Sequence, residues 1–144
     1  MYIPTTQLVA SSNGGGETEL AYVEVTSTVV ISATTEAAAN SVISAGALSF
    51  DGSTRICIEF FCSRVDAGGN GTTICNLWDT TDQGRIANVS GSSGSTSSPV
   101  LARRFVTPSA GSHTYEIRAW RVTANGNVDG LSPALPVYIR ITTA

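Results

Sequence analysis

The feature that most constrains this chain is a series of short segments rich in β-branched and aromatic residues, each followed by a turn signal. From Leu20 onward these segments are LAYVEVTSTVVIS, SVISAGALSF, STRICIEFFCSRV, TTICNLWDT, GRIANVS, PVLARRFVT, PSAGSHTYEIRAWRV and PVYIRITT. Such segments are typical of strands, and Asp51-Gly52 and the run ANGN are typical of turns. No amphipathic segment of roughly 10–15 residues lies between them, as βαβ units would need. We therefore predict an all-β fold of seven to nine strands, an antiparallel β-sandwich or jelly roll.

The N-terminal part of the chain has a different pattern. Residues 1–19 contain Pro4, Ser-Thr clusters and three consecutive glycines at positions 14–16, without hydrophobic periodicity. We predict that they form an extended N-terminal arm or docking segment, and that residues 20–144 form one β domain. The 144-residue length is that of a single domain with a real core, and the initial Met leads us to expect a complete, standalone chain.

Composition and charge exclude several classes of protein. The chain is 42% hydrophobic and 13% charged, which is unlike a disordered polypeptide. It has neither an apolar run of roughly 18 residues nor the basic start and apolar centre of a signal peptide. All eight basic residues are Arg against eleven acidic residues, and only Arg103 and Arg104 are adjacent. We therefore expect no membrane partner and no nucleic-acid partner.

Catalytic and metal-binding patterns are weak. His113 is the only histidine, no GxSxG motif accompanies it, and a hydrogen-bonded turn histidine is the favoured interpretation. Acidic residues that could pair for glycoside hydrolysis or gather around calcium are Glu59, Glu116, Asp66, Asp79 and Asp82. None is distinguished by its context, because aspartates in turns usually accept from backbone amides. We predict no enzyme activity, no metal and no cofactor.

The three cysteines, Cys57, Cys62 and Cys75, have the spacing of neither a zinc site nor a disulfide scaffold. The favoured interpretation is that they are small buried hydrophobic residues. An alternative stays open for two of them. If the run DAGGNG forms a hairpin centred between Gly68 and Gly69, Cys62 opposes Cys75 and a cross-strand disulfide becomes feasible.

The aromatic residues suggest a binding surface. In the segment 109–122, alternation places His113, Tyr115, Ile117, Ala119 and Arg121 on one face and Thr114, Glu116, Arg118, Trp120 and Val122 on the other. Trp120 therefore shares its face with polar side chains, and an exposed Trp can stack on a sugar ring or fill a subunit interface. The predicted interface residues are Tyr2, Ile3 and Pro4 in the arm and Tyr115, Arg118 and Trp120 in this segment.

The order of several motifs resembles a recurrent β-domain of tailed-bacteriophage virion proteins. The motifs are LWDTTDQGRIA, PVLARRFVTPSAGSHTYEIRAWRVTANGNV and PVYIRIT, with related patterns in ATTEA and VISAGALSFDGSTRICIEFF. The resemblance covers roughly residues 20 to 143. Such domains are similar to the trimeric jelly rolls of the tumour necrosis factor type, and the family implies a virion surface component without catalytic residues. The cysteines depart from its pattern.

Two functions are consistent with this resemblance. The favoured expectation is a trimeric capsid decoration protein, made in the host cytoplasm, that binds the major capsid protein and stabilises the head. The arm would span tens of ångströms if extended, at roughly 3.3 Å per residue, and could reach a neighbouring subunit. The alternative is a tail or fibre-tip adhesin domain that binds a host surface glycan.

Overall fold

The computed structural model describes residues 16–93, 97–130 and 135–144. Its strands are β1 (Glu19–Val25), β2 (Thr28–Ile31), β3 (Asn40–Asp51), β4 (Ile56–Asp66), β5 (Thr72–Asp79), β6 (Gly84–Ser93), β7 (Ser97–Val106), β8 (Ala110–Val122), β9 (Gly126–Asp129) and β10 (Val137–Thr143). No helix occurs in these ranges, so none in the described part of the chain is long and apolar enough to cross a membrane. The predicted all-β fold is confirmed.

The strands form two antiparallel sheets. The six-stranded sheet has the order β1-β10-β4-β9-β2, and β7 also pairs with β4. β10 and β9 follow one another along one edge of β4, at residues 56–62 and 64–66, while β7 occupies the other edge. The four-stranded sheet has the order β3-β8-β5-β6. With the short β2 and β9 set aside, the two layers have the strand order of a jelly roll.

Two strands differ from the sequence prediction. The segment predicted as one strand at residues 20–32 is divided into β1 and β2, which pair with different partners, β10 and β9. β9 itself was not predicted, because its first two residues, Gly126 and Asn127, belong to the ANGN turn signal. The described residues therefore contain ten strands instead of the seven to nine expected.

The hairpin between β4 and β5, which the alternative Cys62–Cys75 disulfide required, does not form. β4 belongs to the six-stranded sheet and β5 to the four-stranded sheet, so the connection between them crosses from one layer to the other. Gly68 in this connection has φ +60°, and an added Cβ would lie 1.8 Å from the backbone oxygen of Asn125. The glycine-rich run thus allows close packing against the β8–β9 turn. Among the described residues, β5 and β6 are the only successive strands that pair with each other.

The hydrophobic core lies between the two sheets. Its largest fully buried side chains are Tyr115, Phe60, Ile31, Ile56, Ile58, Leu77, Ile117, Ile139, Ile141, Val65, Val128 and Val137. β8 shows the predicted alternation, because His113, Tyr115, Ile117 and Ala119 are buried and the residues between them are half-buried. At the N-terminal boundary, the Thr143 amide donates to the Thr18 carbonyl oxygen, and the Thr18 amide donates to the Thr143 hydroxyl. β1 then begins at Glu19, one residue before the predicted start of the β domain at Leu20.

Candidate functional site

The outer face of the six-stranded sheet carries a group of apolar side chains that we call the aromatic face. Its members are Tyr22 on β1, Tyr138 on β10, Phe61 on β4, and Leu101 and Phe105 on β7. Because Ile58 and Phe60 on β4 point into the core, the residues that alternate with them point outward. A sheet face that looked only toward water would normally carry polar residues here.

The aromatic face is continuous across four neighbouring strands. The ring centroids of Tyr22 and Tyr138 are 5.5 Å apart, and those of Tyr138 and Phe61 are 5.3 Å apart. Leu101 lies beside Phe61 in the β4–β7 register and remains 60% exposed, while Phe105 remains 51% exposed. The row therefore ends on β7 in two large apolar side chains that the described residues leave uncovered.

Glu59 lies at the centre of this face and is nearly buried there. It accepts hydrogen bonds from Arg103 and from the Tyr138 hydroxyl, the latter at 2.8 Å. Burial raises the pKa of Glu59, but these hydrogen bonds and the positive charge of Arg103 outweigh burial, so its pKa lies below the ordinary value. Burial and the neighbouring Glu59 raise the pKa of Tyr138 to about 12. The carboxylate and the phenol therefore keep their charge states throughout the neutral range.

The charges around the aromatic face are balanced. Arg103 pairs with Glu59, and Arg140 pairs with Glu19 at 2.8 Å between Nε and Oε2. The Arg55 guanidinium lies over the Phe105 ring, 4.7 Å from its centroid. The face thus combines an apolar row with guanidinium and carboxylate groups in similar number, and the Glu59–Arg103 ion pair lies within it. Subunit interfaces combine apolar contact with hydrogen-bonded polar groups in this way.

The predicted interface residues are distributed differently. Tyr2, Ile3 and Pro4 lie outside the described residues. The prediction for Tyr115 is wrong, because this side chain is 1% exposed and faces the core of the sandwich. Arg118 and Trp120 are half-buried on the outer face of the four-stranded sheet, on the side that alternation predicted.

The cysteines are buried free thiols. Cys62 lies on β4 and Cys75 on β5, so the two occupy different sheets and do not oppose each other across a hairpin. Burial raises the pKa of Cys62 to about 11 and raises the pKa values of Cys57 and Cys75 as well. Thiols with raised pKa values are poor nucleophiles, which agrees with their interpretation as small hydrophobic residues.

A polar cluster lies where the β5–β6 turn meets the β7–β8 connection. His113 Nδ1 lies 2.6 Å from Asp79 Oδ2, and His113 Nε2 lies 3.1 Å from both the hydroxyl and the carbonyl oxygen of Ser109. The hydrogen bond with Asp79 raises the pKa of His113 despite its burial. The geometry therefore favours an imidazolium that donates to Asp79 and to Ser109.

This cluster has the residue types of a Ser-His-Asp triad but not its chemistry. A general base must accept the serine proton at Nε2, whereas Nε2 here also faces a carbonyl oxygen, which can only accept. Asp79, Asp82 and His113 also bring three ligand atoms within 4.8 Å of one another. A cation could use them only by replacing the hydrogen bond between His113 and Asp79. The arrangement instead ties the β5–β6 turn to the β7–β8 connection. His113 is hydrogen-bonded as predicted, but it lies in β8, so its predicted place in a turn is wrong.

The carboxylates considered for glycoside hydrolysis are not paired across one site. Glu59 lies on the outer face of the six-stranded sheet, and Glu116 lies on the outer face of the four-stranded sheet, with the core between them. Asp79 is buried beside His113, and its Oδ1 accepts hydrogen bonds from the backbone amides of Thr81 and Asp82. This is the turn role predicted for such aspartates.

The aromatic face was missed as a site, although the sequence contained its signal. The run ICIEFFCSRV has apolar residues at both odd and even positions, which is typical of a strand covered on both faces, and β4 is central in its sheet. One of its faces meets the core and the other carries Phe61. A scan against protein-family models and a search of curated proteins found no match for this chain.

Proposed function

We propose that this chain is a structural virion protein of a tailed bacteriophage, a trimeric capsid decoration protein that binds the major capsid lattice and reinforces the head. The sequence resemblance supports this proposal, and the jelly-roll strand order agrees with the trimeric type that the resemblance implies. The observation that carries it is the aromatic face, with Leu101 and Phe105 both more than half exposed.

A second copy of this chain is the occupant that best fits the aromatic face. Charged groups of both signs border its apolar row, including Arg103, Arg140, Glu19 and Glu59. A strongly acidic partner would bring negative charges against Glu19 and Glu59, and a strongly basic partner would bring positive charges against Arg103 and Arg140. In a trimer, a face that lies at the threefold axis meets the same face of the other two copies, and it then offers them apolar contact together with both signs of charge.

The oligomeric state tests this assignment of the interface. We expect the full chain to sediment at three times its 14.9 kDa mass. Leu101→Glu should dissociate the trimer, because it places an unpaired charge in the apolar row. Val122→Glu is the matched control, since Val122 is 52% exposed but lies on β8 in the other sheet, and it should remain trimeric. A monomeric wild-type chain, or equal behaviour of the two variants, would contradict the interface.

Electron cryo-microscopy of the virion that carries this chain tests its location. We expect density for trimers on the head lattice. Reconstituting heads that lack the protein with the full chain or with a form lacking residues 1–15 tests the predicted docking role of the arm. Normal binding by the shortened form would count against a role of the arm, whereas density at a tail tip would overturn the decoration proposal itself.

The second candidate function is a tail or fibre-tip adhesin domain that binds a host glycan. One observation favours it: both tryptophans, Trp78 and Trp120, lie half-buried on the outer face of the four-stranded sheet, away from the aromatic face. The imaging experiment separates the two functions by position, because an adhesin would occupy the tail.

A further inference from the structure

We propose that a cavity beside Trp78 is a binding site for a neutral saccharide unit. The cavity, which we call the Trp78 pocket, has a volume of about 350 Å³ and is lined by Ala37, Trp78, Thr80, Gln83, Glu116 and Arg118. A volume of this size lies in the range of small-molecule sites. This inference deepens the second candidate function, the adhesin. It rests on that function only in taking a host glycan as the source of the saccharide.

The pocket is built from three parts of the fold. β5 and β8 are neighbours, and their register places Trp78 opposite Glu116. Residues 32–39, between β2 and β3, fold over the same sheet face, where Glu36 accepts a hydrogen bond from Asn76 Nδ2 at 2.7 Å. Arg118 Nη2 donates to the Ala39 carbonyl oxygen at 3.4 Å. The side chains at the pocket wall are therefore positioned by strands and by a loop that is held down.

Two buried donors in the wall have no acceptor among the described residues. They are Trp78 Nε1 and Arg118 Nε, both shielded from solvent, and the nearest acceptor of the latter in an ion pair is Glu116 Oε2 at 3.6 Å. Buried polar atoms in native proteins are nearly always hydrogen-bonded, and exceptions call for an explanation. The fold therefore leaves the hydrogen bonding of two side chains that line the pocket incomplete.

The charges of the pocket select the class of ligand. Glu116 Oε2 and Arg118 Nε lie 3.6 Å apart, so one negative and one positive charge line the same cavity. An anion would meet the Glu116 carboxylate and a cation would meet Arg118. A sugar hydroxyl both donates and accepts, and can therefore contact both groups as well as Gln83 and Thr80.

The Trp78 ring supplies the apolar part of such a site. The Arg118 guanidinium lies 5.1 Å from the ring centroid and holds the indole in place by a cation–π contact. The rest of the ring and the Ala37 methyl are small apolar parts of a wall that is otherwise polar. The lining therefore fits a ligand rich in hydroxyl groups that makes a limited contact with the ring.

The backbone of Gln83 gives an independent indication that this rim is specialised. Gln83 has φ 52°, in the left-handed region that residues other than Gly, Asn and Asp rarely adopt. Its side chain lines the pocket. Non-glycine residues held in such conformations are concentrated at functional sites. Glycine would fit the turn with less strain but would offer the pocket no amide.

NMR of the indole N–H groups tests the proposal directly. The full chain has two tryptophans, and Trp120→Phe assigns the remaining indole signal to Trp78. The probes are methyl α-D-glucopyranoside, methyl β-D-galactopyranoside and N-acetyl-D-glucosamine at up to about 50 mM, which detects millimolar binding. We expect at least one probe to shift the Trp78 signal in a saturable way while the Trp120 signal of the wild-type chain stays in place. Glycerol at equal concentration should not do so.

Two variants separate binding from folding. Glu116→Gln keeps the size of the side chain and should weaken binding about tenfold, because a charged acceptor is lost. Gln83→Gly should also weaken binding while the thermal midpoint stays equal or rises, since glycine relieves the left-handed strain. A variant that binds less and is no less stable cannot be dismissed as misfolded. Leu101→Glu, on the opposite sheet, should bind the probe normally.

Several results would overturn the saccharide site. They are an unchanged Trp78 signal with all three sugars, equal shifts with glycerol, or binding that survives both Glu116→Gln and Gln83→Gly. A shift of the Trp78 signal on deleting residues 1–15, without sugar, would show that the chain's own N-terminal segment fills the pocket. None of these results changes the sedimentation or imaging experiments, so failure here is distinguishable from failure of the proposed virion function.

Discussion

At the scale of single residues, two non-glycine residues of the described ranges lie in the left-handed region. Gln83 lies at the rim of the Trp78 pocket, and Thr123, with φ 80°, lies in the turn after β8. A β-branched residue in this region is a true outlier, because its Cβ substituents crowd the backbone. Thr123 is exposed and does not line the Trp78 pocket. A substitution there therefore reports the energetic cost of the left-handed conformation without an effect on the pocket.

Thr123→Gly should raise the free energy of unfolding by about 0.5–1 kcal/mol, since relief of left-handed strain exceeds the entropy that glycine adds to the unfolded chain. Chemical denaturation at fixed pH measures the change. Thr34→Gly is the control, because Thr34 is also an exposed loop residue but has no positive φ. It should lower stability slightly, and a gain of the same size at both positions would refute the strain argument.

His113 makes stability depend on pH in a defined direction. Its pKa is raised in the folded state by Asp79, so the folded protein holds the proton at pH values where the unfolded chain has released it. The contribution is complete below about pH 6.5, the ordinary histidine value, and is lost as pH rises through the folded pKa. The groups facing the ring are Asp79, Asp82, Ser109, Phe50 and Tyr115.

His113→Gln should therefore reduce the decrease in the free energy of unfolding that the wild-type chain shows between about pH 6 and pH 9. It should also lower stability at pH 6 by about 1–3 kcal/mol, because Asp79 loses a buried hydrogen-bond partner. Urea unfolding at several pH values measures both effects. A wild-type stability that rises across this interval would show that His113 is not held as the imidazolium.

At the scale of elements, β9 is the strand that the sequence did not predict, and a buried carboxylate fixes it in place. Asp129, 1% exposed, accepts from Arg64 Nε at 2.6 Å and from Thr28 Oγ1 at 2.6 Å. These contacts link β9 to both of its neighbours, β4 and β2. Hydrophobic periodicity and β-propensity could not reveal this strand, because its four residues are held as a strand by pairing with β2 and β4, more than 60 positions away in the sequence.

Asp129→Ala should lower the free energy of unfolding by about 2 kcal/mol or more, because it empties a buried position and removes the hydrogen bonds that Arg64 and Thr28 donate to this carboxylate. Glu19→Ala is the matched control, since it breaks the ion pair with Arg140, whose two side chains are 33% and 41% exposed. That loss should stay below about 1 kcal/mol. Equal losses would mean that Asp129 does not fix β9.

At the scale of the whole molecule, the sequence predicted the fold class and the face alternation of β8 but not how the strands are connected. Strand type depends on local pattern, whereas most pairings here join distant parts of the chain, such as β1 with β10 and β3 with β8. The assumed β4–β5 hairpin failed for this reason. The interface prediction for Tyr115 failed because alternation places it on the face opposite Arg118 and Trp120, and that face is the inner one. The Trp78 pocket could not be predicted either, because it forms only when residues 32–39 fold over the outer face of the four-stranded sheet.

The antiparallel pairing of β1 with β10 also has a mechanical consequence. Thr18 lies beside Thr143, so the described chain enters and leaves the domain at one end of the same strand pair. The hydrogen bonds of this pair run perpendicular to the strands. A pull applied between Gly16 and Ala144 would load them one after another, like a zipper, whereas force applied at opposite ends would shear them together. The domain should therefore resist tension poorly along this path and better when it is held through its sheet faces.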